Sequence, residues 1–466
     1  MKIRSLLAYI LSLVMLLTLL GIPAAATQED EADLTVTNGS HGIDAAMPYM
    51  GTNKLVDRVK SVFMYETNSD TLLYSWNADT QIHPASLVKV MTALVVLENC
   101  DLQQMATATK TALSSITNQD IAINLEPGEQ MSVEDLLYAM LVYAANDAAV
   151  VLAEHTSGSV EAFVEQMNIR AQELGCTGSV FMNPHGLHHD QQYMTARDVC
   201  RIILAALEHE AFRTIFCTEY YTIPATNMSD ERRIVTNNYL INADFVAIYL
   251  DHRVKGGRTG VSQDSRRNIA SLSEVGDMEV VCVVMGAESV IASNGYSVDV
   301  YGGFPETISL LDQAYSNTAR RQIICADQIL KRQTVVNGDH DVFYVCRETF
   351  TTVLPAEYTL DELDFRYTEV PGSLNAPITK GQNMAYLQVW HGNRCLAETE
   401  VYAANDVPLA YSKAGNMHRV GRIGLILLIL FLVIALPVIA VFGVLLYMRY
   451  SAQKKHRSRK KDRRRS

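Results

Sequence analysis

Residues 83–99 read HPASLVKVMTALVVLEN. Behind Pro84, the residues Leu87, Val88, Val90, Met91, Ala93, Leu94, Val95, Val96 and Leu97 leave no broad polar face. A helix that is apolar nearly all round is a buried one. One lysine, Lys89, stands in it, three residues after Ser86. That spacing puts both side chains on one face, a turn apart. Ser86 falls in the first turn, where free backbone N–H groups and the helix dipole favour developing negative charge. Burial disfavours the ammonium form, so a lysine here can have a lowered pKa and take the proton of Ser86 as the serine attacks a carbonyl. These residues alone fit a second reading equally well, in which Lys89 snorkels from a core helix to water and Ser86 merely caps it.

Ahead of this helix, SVFMYET (61–67) and TLLYSWN (71–77) flank the turn residues Asn68, Ser69 and Asp70, which is the pattern of a hairpin. Behind it, Ser132 and Asp135 form a capping pattern before LLYAMLVYAA, and Asn146 is placed to cap DAAVVLAEH, which stops near Gly158. VEAFVEQMNIRAQEL closes at Gly175, and TARDVCRIILAALE (195–208) opens on a Thr cap. From about residue 254 the texture changes to strands, VKGGRTGVS, NIASLSEV and MEVVCVVMGA, followed by one more helix, FPETISLLDQAYSN. A hairpin, a block of helices and then strands predict an α/β (α+β) domain over 56–321, with helices packed on one antiparallel sheet. Over 322–405 the helical period disappears and short β-rich pieces such as DVFYVCRET and MAYLQVWHG alternate with turns, predicting a small all-β domain. Residues 406–422 read as a linker.

The ends of the chain set an address. Lys2 and Arg4 precede an apolar run through Leu20, and the small residues Ala24 and Ala26 then predict a signal peptide over 1–26, followed by a flexible leader over 27–55. Residues 423–448 carry no charge and exceed the roughly 20 residues a helix needs to cross a bilayer, with Pro437 tolerable inside. The tail 449–466 has ten Lys or Arg against one Asp. A basic tail directly beside a span belongs in the cytoplasm, so the middle of the chain is expected outside a bacterial cell membrane, single-pass. Removing both basic ends from the net charge of −12 leaves about −23 over residues 27–448. That excess of negative charge argues against a nucleic-acid partner.

The eight cysteines are dispersed without a C-x-x-C pair, which excludes zinc-ribbon and thioredoxin-like readings, and Cys200 and Cys282 lie in apolar patterns typical of core cysteines. His185, His188, His189 and Asp190 crowd together, but without helical H-x-x-x-H spacing, and no metal or cofactor is expected.

Three short motifs follow one another along the chain: Ser86-Leu87-Val88-Lys89, Ala144-Ala145-Asn146 and Arg258-Thr259-Gly260, with NPHGLHHDQQYMTARDV (183–199) between the second and third. With these the chain resembles the serine-type D-alanyl-D-alanine carboxypeptidases, low-molecular-mass penicillin-binding proteins. That family carries Ser-x-x-Lys, Ser-x-Asn and Lys-Thr-Gly in this order, together with an Asn-Pro-His-Gly-Leu segment and a Tyr-x-Thr-Ala stretch. The similarity runs from about Val62 to Ser316, and the small β domain fits many members. The resemblance implies the penicillin-binding/β-lactamase-like transpeptidase fold, peptidoglycan stem peptides as substrate and β-lactam antibiotics as inhibitors. It makes Ser86 the nucleophile of an acyl-enzyme, Lys89 its general base and Asn146 the amide that orients Lys89 and the substrate. Arg258, Thr259 and Gly260 then stand at the subsite for the terminal carboxylate, and the backbone N–H groups of Ser86 and Val261 form the oxyanion hole.

Two motif positions depart from the family. Ala144 lacks the hydroxyl that relays a proton in the family, which implies a loss of about 10²–10⁴ in rate unless a water takes its place. Arg258 keeps the charge of lysine but presents a flat fork, which suits a carboxylate. The family often anchors through a C-terminal amphipathic helix, whereas this chain has a full span. Two alternatives accompany the carboxypeptidase reading: a catalytically reduced module that binds stem peptides or penicillin, and a β-lactamase, which commonly needs an added glutamate base that these motifs do not offer.

Overall fold

Five antiparallel strands organise the part of the chain that bears the motifs. They are β1 (Ser61–Glu66), β2 (Thr71–Trp76), β3 (Val254–Ser262), β4 (Arg266–Val275) and β5 (Met278–Ala287), in the spatial order β2-β1-β5-β4-β3. The early hairpin thus joins the later meander through β1 and β5, with Ser61 opposite Met285 and Glu66 opposite Val280. The apolar run of β5 is continuous because both faces of the sheet are covered. Val281, Val283 and Met285 join the core beneath one layer of helices, while Val280, Cys282 and Val284 join a second core on the other face. This computed structural model describes residues 58–293, 298–410 and 413–462, and the expected signal peptide and leader lie outside the described residues.

The helices around this sheet include α1 (Val88–Asn99), α2 (Val133–Tyr138), α3 (Asn146–Ser157), α4 (Val160–Glu173), α5 (Ala196–Leu207) and α6 (Phe304–Asn317). α1 is buried from Val88 through Val96, as its apolar circumference requires. Truncating one of its fully buried side chains, such as Leu94→Ala, removes contacts worth about 2–5 kcal/mol. A 3₁₀ turn, Ala85–Leu87, precedes α1, so Ser86 lies in that turn rather than in the α-helix itself. α2 is capped by Ser132, whose Oγ accepts from Asp135 N–H at 3.0 Å. It continues into a single wide π turn, Ala139–Tyr143, ended by Ala144 in the left-handed conformation. The expected cap of α3 moves by one residue: Ala145 occupies the capping position without a side-chain bond, leaving the Asn146 amide free for another partner.

Behind α6 the chain is all β. A ribbon of β6 (Thr318–Ile324) and β9 (Phe350–Pro355) accompanies a five-stranded sheet of β7 (Ile329–Gln333), β8 (Val342–Val345), β10 (Leu363–Glu369), β11 (Asn383–His391) and β12 (Arg394–Ala403), in the order β7-β8-β12-β11-β10. The ribbon is shared by two cores: Val353 packs beneath α6, while Ile323, Ile324 and Leu354 pack in the β domain. A buried contact of 3.2 Å between the Thr71 and Thr352 hydroxyls ties it to the first hairpin. The boundary expected between residues 321 and 322 therefore falls inside a strand.

The expected linker 406–422 is also revised. Val407 is buried and bridges to Ile378, Leu409 bridges to Gly338, and Ala410 N–H donates to Asn337 O at 2.7 Å. These backbone bonds hold the chain to the β domain as far as Ala410. A helix, α7 (Lys413–Asp462), begins three residues later. Its stretch Ile423–Ser451 is long and apolar enough to cross a membrane, and Pro437 lies within it.

Candidate active site

The chain turns into α1 through a strained corner. Ala85 has φ +48°, in the left-handed region that costs a residue with a side chain roughly 1–2 kcal/mol. Its carbonyl packs against Gly186, where a Cβ would stand 2.0 Å from Ala85 O, and Gly186 itself has φ +89°. No residue but glycine fits there. The segment around Gly186 crosses α1, with Thr92 Oγ1 donating to Pro184 O at 2.6 Å. From the sheet side, buried Asn268 on β4 donates through Nδ2 to His83 O and Pro84 O, both at 3.0 Å, and accepts from Gly286 N–H at 2.8 Å. Three elements distant in sequence thereby fix the backbone that presents Ser86.

Lys89 is 0 % exposed. Its Nζ donates to Asn146 Oδ1 at 2.6 Å and to His185 O, and lies 3.3 Å from Ser86 Oγ. Two of these three partners are oxygens that only accept. A neutral amine would have two N–H bonds to give them and one lone pair left for the Ser86 hydroxyl. Burial, and after it the charge of Arg258, hold the Lys89 pKa well below the ordinary lysine range, while Asp147 and Asp120 act in the opposite direction. Burial and then Lys89 push His185 down to about 3, so its ring is neutral, and Nδ1 accepts from Leu187 N–H at 3.1 Å.

Asn146 is aimed by the turn before it and by a loop beside it. Ala144 turns the chain with φ +75°, and Asn146 N–H donates to Ile121 O at 2.7 Å. The buried Asp147 carboxylate accepts from Ile123 N–H at 3.2 Å, Leu125 N–H at 3.0 Å and Ala148 N–H at 2.9 Å, fastening that loop to the start of α3. Burial raises the Asp147 pKa and the backbone N–H groups lower it.

β3 closes the other side as the edge strand. A Cβ on Gly260 would stand 2.8 Å from Ser86 N, so the missing side chain is what lets the strand approach the serine. Val261 follows with its side chain 60 % exposed, and Thr259 Oγ1 donates to Asn237 Oδ1 at 2.9 Å. Arg258 differs from expectation. It is 1 % exposed and its Nη1 donates to Leu141 O at 2.8 Å, while Nε and Nη2 are buried without a partner among the described residues. Burial lowers its pKa to about 10. The fork expected to meet a carboxylate is buried beneath the π turn, with Nη1 held by the Leu141 carbonyl.

Ser86, Lys89, Asn146 and Gly260 thus converge, while Thr259 and Val261 alternate onto the other face of β3. The sequence reading missed Asn268, Asp147 and Asn237. Each is a common residue type whose partners are backbone groups or side chains that only the fold brings near. His188, read with its neighbours as a rejected metal cluster, pairs instead with Asp190 at 3.2 Å and Asp264 at 3.4 Å.

Residues 52–289, just over half of the chain, match the family described as D-alanyl-D-alanine carboxypeptidase, and residues 320–409 match the C-terminal domain of penicillin-binding protein 5. The chain is 27 % identical to the D-alanyl-D-alanine carboxypeptidase DacF of Bacillus subtilis over 361 residues, covering 77 % of this chain and 88 % of that one. It is 29 % identical to DacC of Escherichia coli, covering 67 % and 75 % respectively. Penicillin-binding protein 5 from Haemophilus influenzae is similar in structure, with a TM-score of 0.58 at 26 % identity over 75 % of this chain and 98 % of that one. The fold and the match define a serine hydrolase of the low-molecular-mass penicillin-binding class. The chain belongs to the D-alanyl-D-alanine carboxypeptidase family.

Proposed function

We propose that this chain removes the terminal D-alanine from peptidoglycan stem peptides through an acyl-enzyme on Ser86. Lys89, neutral, takes the hydroxyl proton as Ser86 Oγ attacks the carbonyl carbon of the penultimate D-alanine. The N–H groups of Ser86 and Val261 receive the oxyanion, and the peptide bond then breaks to release D-alanine. Ala144 supplies no hydroxyl, so the proton that the leaving amine needs comes back from Lys89. Water then hydrolyses the ester and frees the shortened peptide. Asn146 orients Lys89 and the substrate backbone, while Thr259 stands toward the terminal carboxylate. Penicillins acylate the same oxygen.

The observation that carries this reading is the division of Lys89 Nζ between two acceptors and Ser86 Oγ. The apolar stretch of α7 anchors the protein in a bacterial cell membrane, with the basic tail in the cytoplasm and the catalytic domain outside, within reach of the wall. Ala144 favours a second reading, a module that is acylated or binds stem peptides with little turnover. Release of D-alanine from a pentapeptide ending in D-alanyl-D-alanine, present in wild type and absent in Ser86→Ala, supports the enzyme. Acylation by penicillin without such release supports the binding module.

A further inference from the structure

Arg258 is buried and held through Nη1 by Leu141 O, so the carboxylate of the departing D-alanine needs a more accessible cation, and β4 carries one. In the β3–β4 ladder Val261 stands opposite Arg267 and Thr259 opposite Ile269. Directly opposed residues share a face, so Arg267 lies on the side of Thr259 and Val261, diagonal to Thr259 at about 7–8 Å between backbones. Arg258 and Gly260 face the other way, toward Leu141 and Ser86.

The Arg267 guanidinium lies 5.3 Å from the ring centres of both Tyr301 and Phe304, which hold it without neutralising it. Its Nε is buried and has no hydrogen-bond partner among the described residues. Its neighbour Arg266 is already taken by Glu288 at 2.6 Å. A cavity of about 300 Å³ adjoins these groups, walled by Val261, Ser262, Arg267 and Ser289 together with that neutralised pair. Its one uncompensated charge is therefore positive. The cavity begins at Val261, the residue whose N–H is assigned to the oxyanion hole, which is where a short leaving group would emerge.

We propose that Arg267 is a specificity-determining residue that receives the C-terminal carboxylate of the substrate, so that the demand for a free C-terminus resides on β4 rather than in the third motif's arginine. This rests on the carboxypeptidase reading above and deepens it.

The test uses full-length protein in detergent and two peptides ending in D-alanyl-D-alanine, one with a free carboxylate and one amidated. Each is measured as a substrate and as a competitor of fluorescent-penicillin labelling. Wild type prefers the free acid by about tenfold or more, the weight of a charge-assisted hydrogen bond. Arg267→Gln brings the ratio near one through weaker binding of the acid, leaving the amide handled as by wild type, and Arg267→Lys restores part of the preference. Arg258→Gln slows both peptides alike and keeps the ratio. A ratio unchanged in Arg267→Gln, or abolished by Arg258→Gln alone, overturns the proposal. If wild type releases D-alanine from neither peptide, the carboxypeptidase reading fails instead, and the competition ratio, which needs only binding, still decides the role of Arg267.

Discussion

Asn146 Oδ1 accepts a hydrogen bond from Lys89 Nζ at 2.6 Å in a place that solvent does not reach, joining the starts of α1 and α3. An amide oxygen accepts from an amine as well as from an ammonium, so it aims Lys89 without a negative charge to hold the third proton on. A carboxylate in its place would hold the proton on. Asn146→Asp is therefore expected to slow acylation by penicillin about 10²-fold or more near neutral pH, with partial recovery as the pH is raised, because the general base is lost. Asn146→Ala removes only the aim, and the expected loss is about tenfold. Second-order acylation rates measured across pH check both.

The same buried lysine links stability to pH. In the unfolded chain a lysine titrates near about 10.4, whereas burial and Arg258 put the folded value well below that. Between the two values the unfolded state binds more protons, so stability rises with pH across that window. It falls as the pH drops toward the folded value and levels off beneath it. Lys89→Met removes this dependence: its melting temperature is expected to exceed that of wild type most on the acid side, by a few degrees, and to converge with it in alkali, while acylation is abolished. Thermal melts of both proteins over a pH series measure the difference.

Gly260 tests the approach of β3 to the nucleophile. In Gly260→Ala the new Cβ meets Ser86 N at 2.8 Å, and the opposing groups are backbone, which cannot swing away. The strand or the turn must shift by a few tenths of an ångström. The expected result is acylation reduced about 10²-fold, comparable to the loss of one oxyanion donor, with a melting temperature lowered by only a few degrees. A variant with a normal acylation rate would show that the Val261 N–H is not needed where the account puts it.

Much of this was legible in the sequence, and the limits have physical reasons. The strands Val254–Ser262 and Met278–Ala287 and the helix Phe304–Asn317 match the expected segments because apolar runs and turn residues mark them locally. The pairing of Ser86 with Lys89 was equally open, since both lie on one turn and burial follows from the residues around them. The π turn at Ala139–Tyr143 and the left-handed Ala144 leave no such mark. They are set by Arg258 and by the loop at Ile121, more than a hundred and about twenty residues away. The orientation of Arg258 was missed for the same reason: strand alternation assigns a face, but the partner on that face comes from another part of the chain. Val407 looked like linker because its one strong signal, a bridge to Ile378, depends on the folded β domain.

That last revision predicts where the folded part ahead of the apolar helix ends. A chain stopped after Ala410 keeps the bridges of Val407 and Leu409 and is expected to remain soluble without detergent, with unchanged acylation. A chain stopped after residue 405 exposes the pocket of a buried valine, a cost of about 1.5–3 kcal/mol. Its β domain should melt earlier while Ser86 is acylated at the same rate. Calorimetry of the two truncations, with acylation measured in parallel, distinguishes them.

The assignment of Ser86 as the nucleophile activated by Lys89 is tested most directly by peptide mass spectrometry of the chain stopped after Ala410, following brief exposure to penicillin. The expected result is a single penicilloyl adduct on the peptide that contains Ser86, absent in Ser86→Ala and formed far more slowly in Lys89→Ala. An adduct on any other residue, or one that persists in Ser86→Ala, would contradict the account.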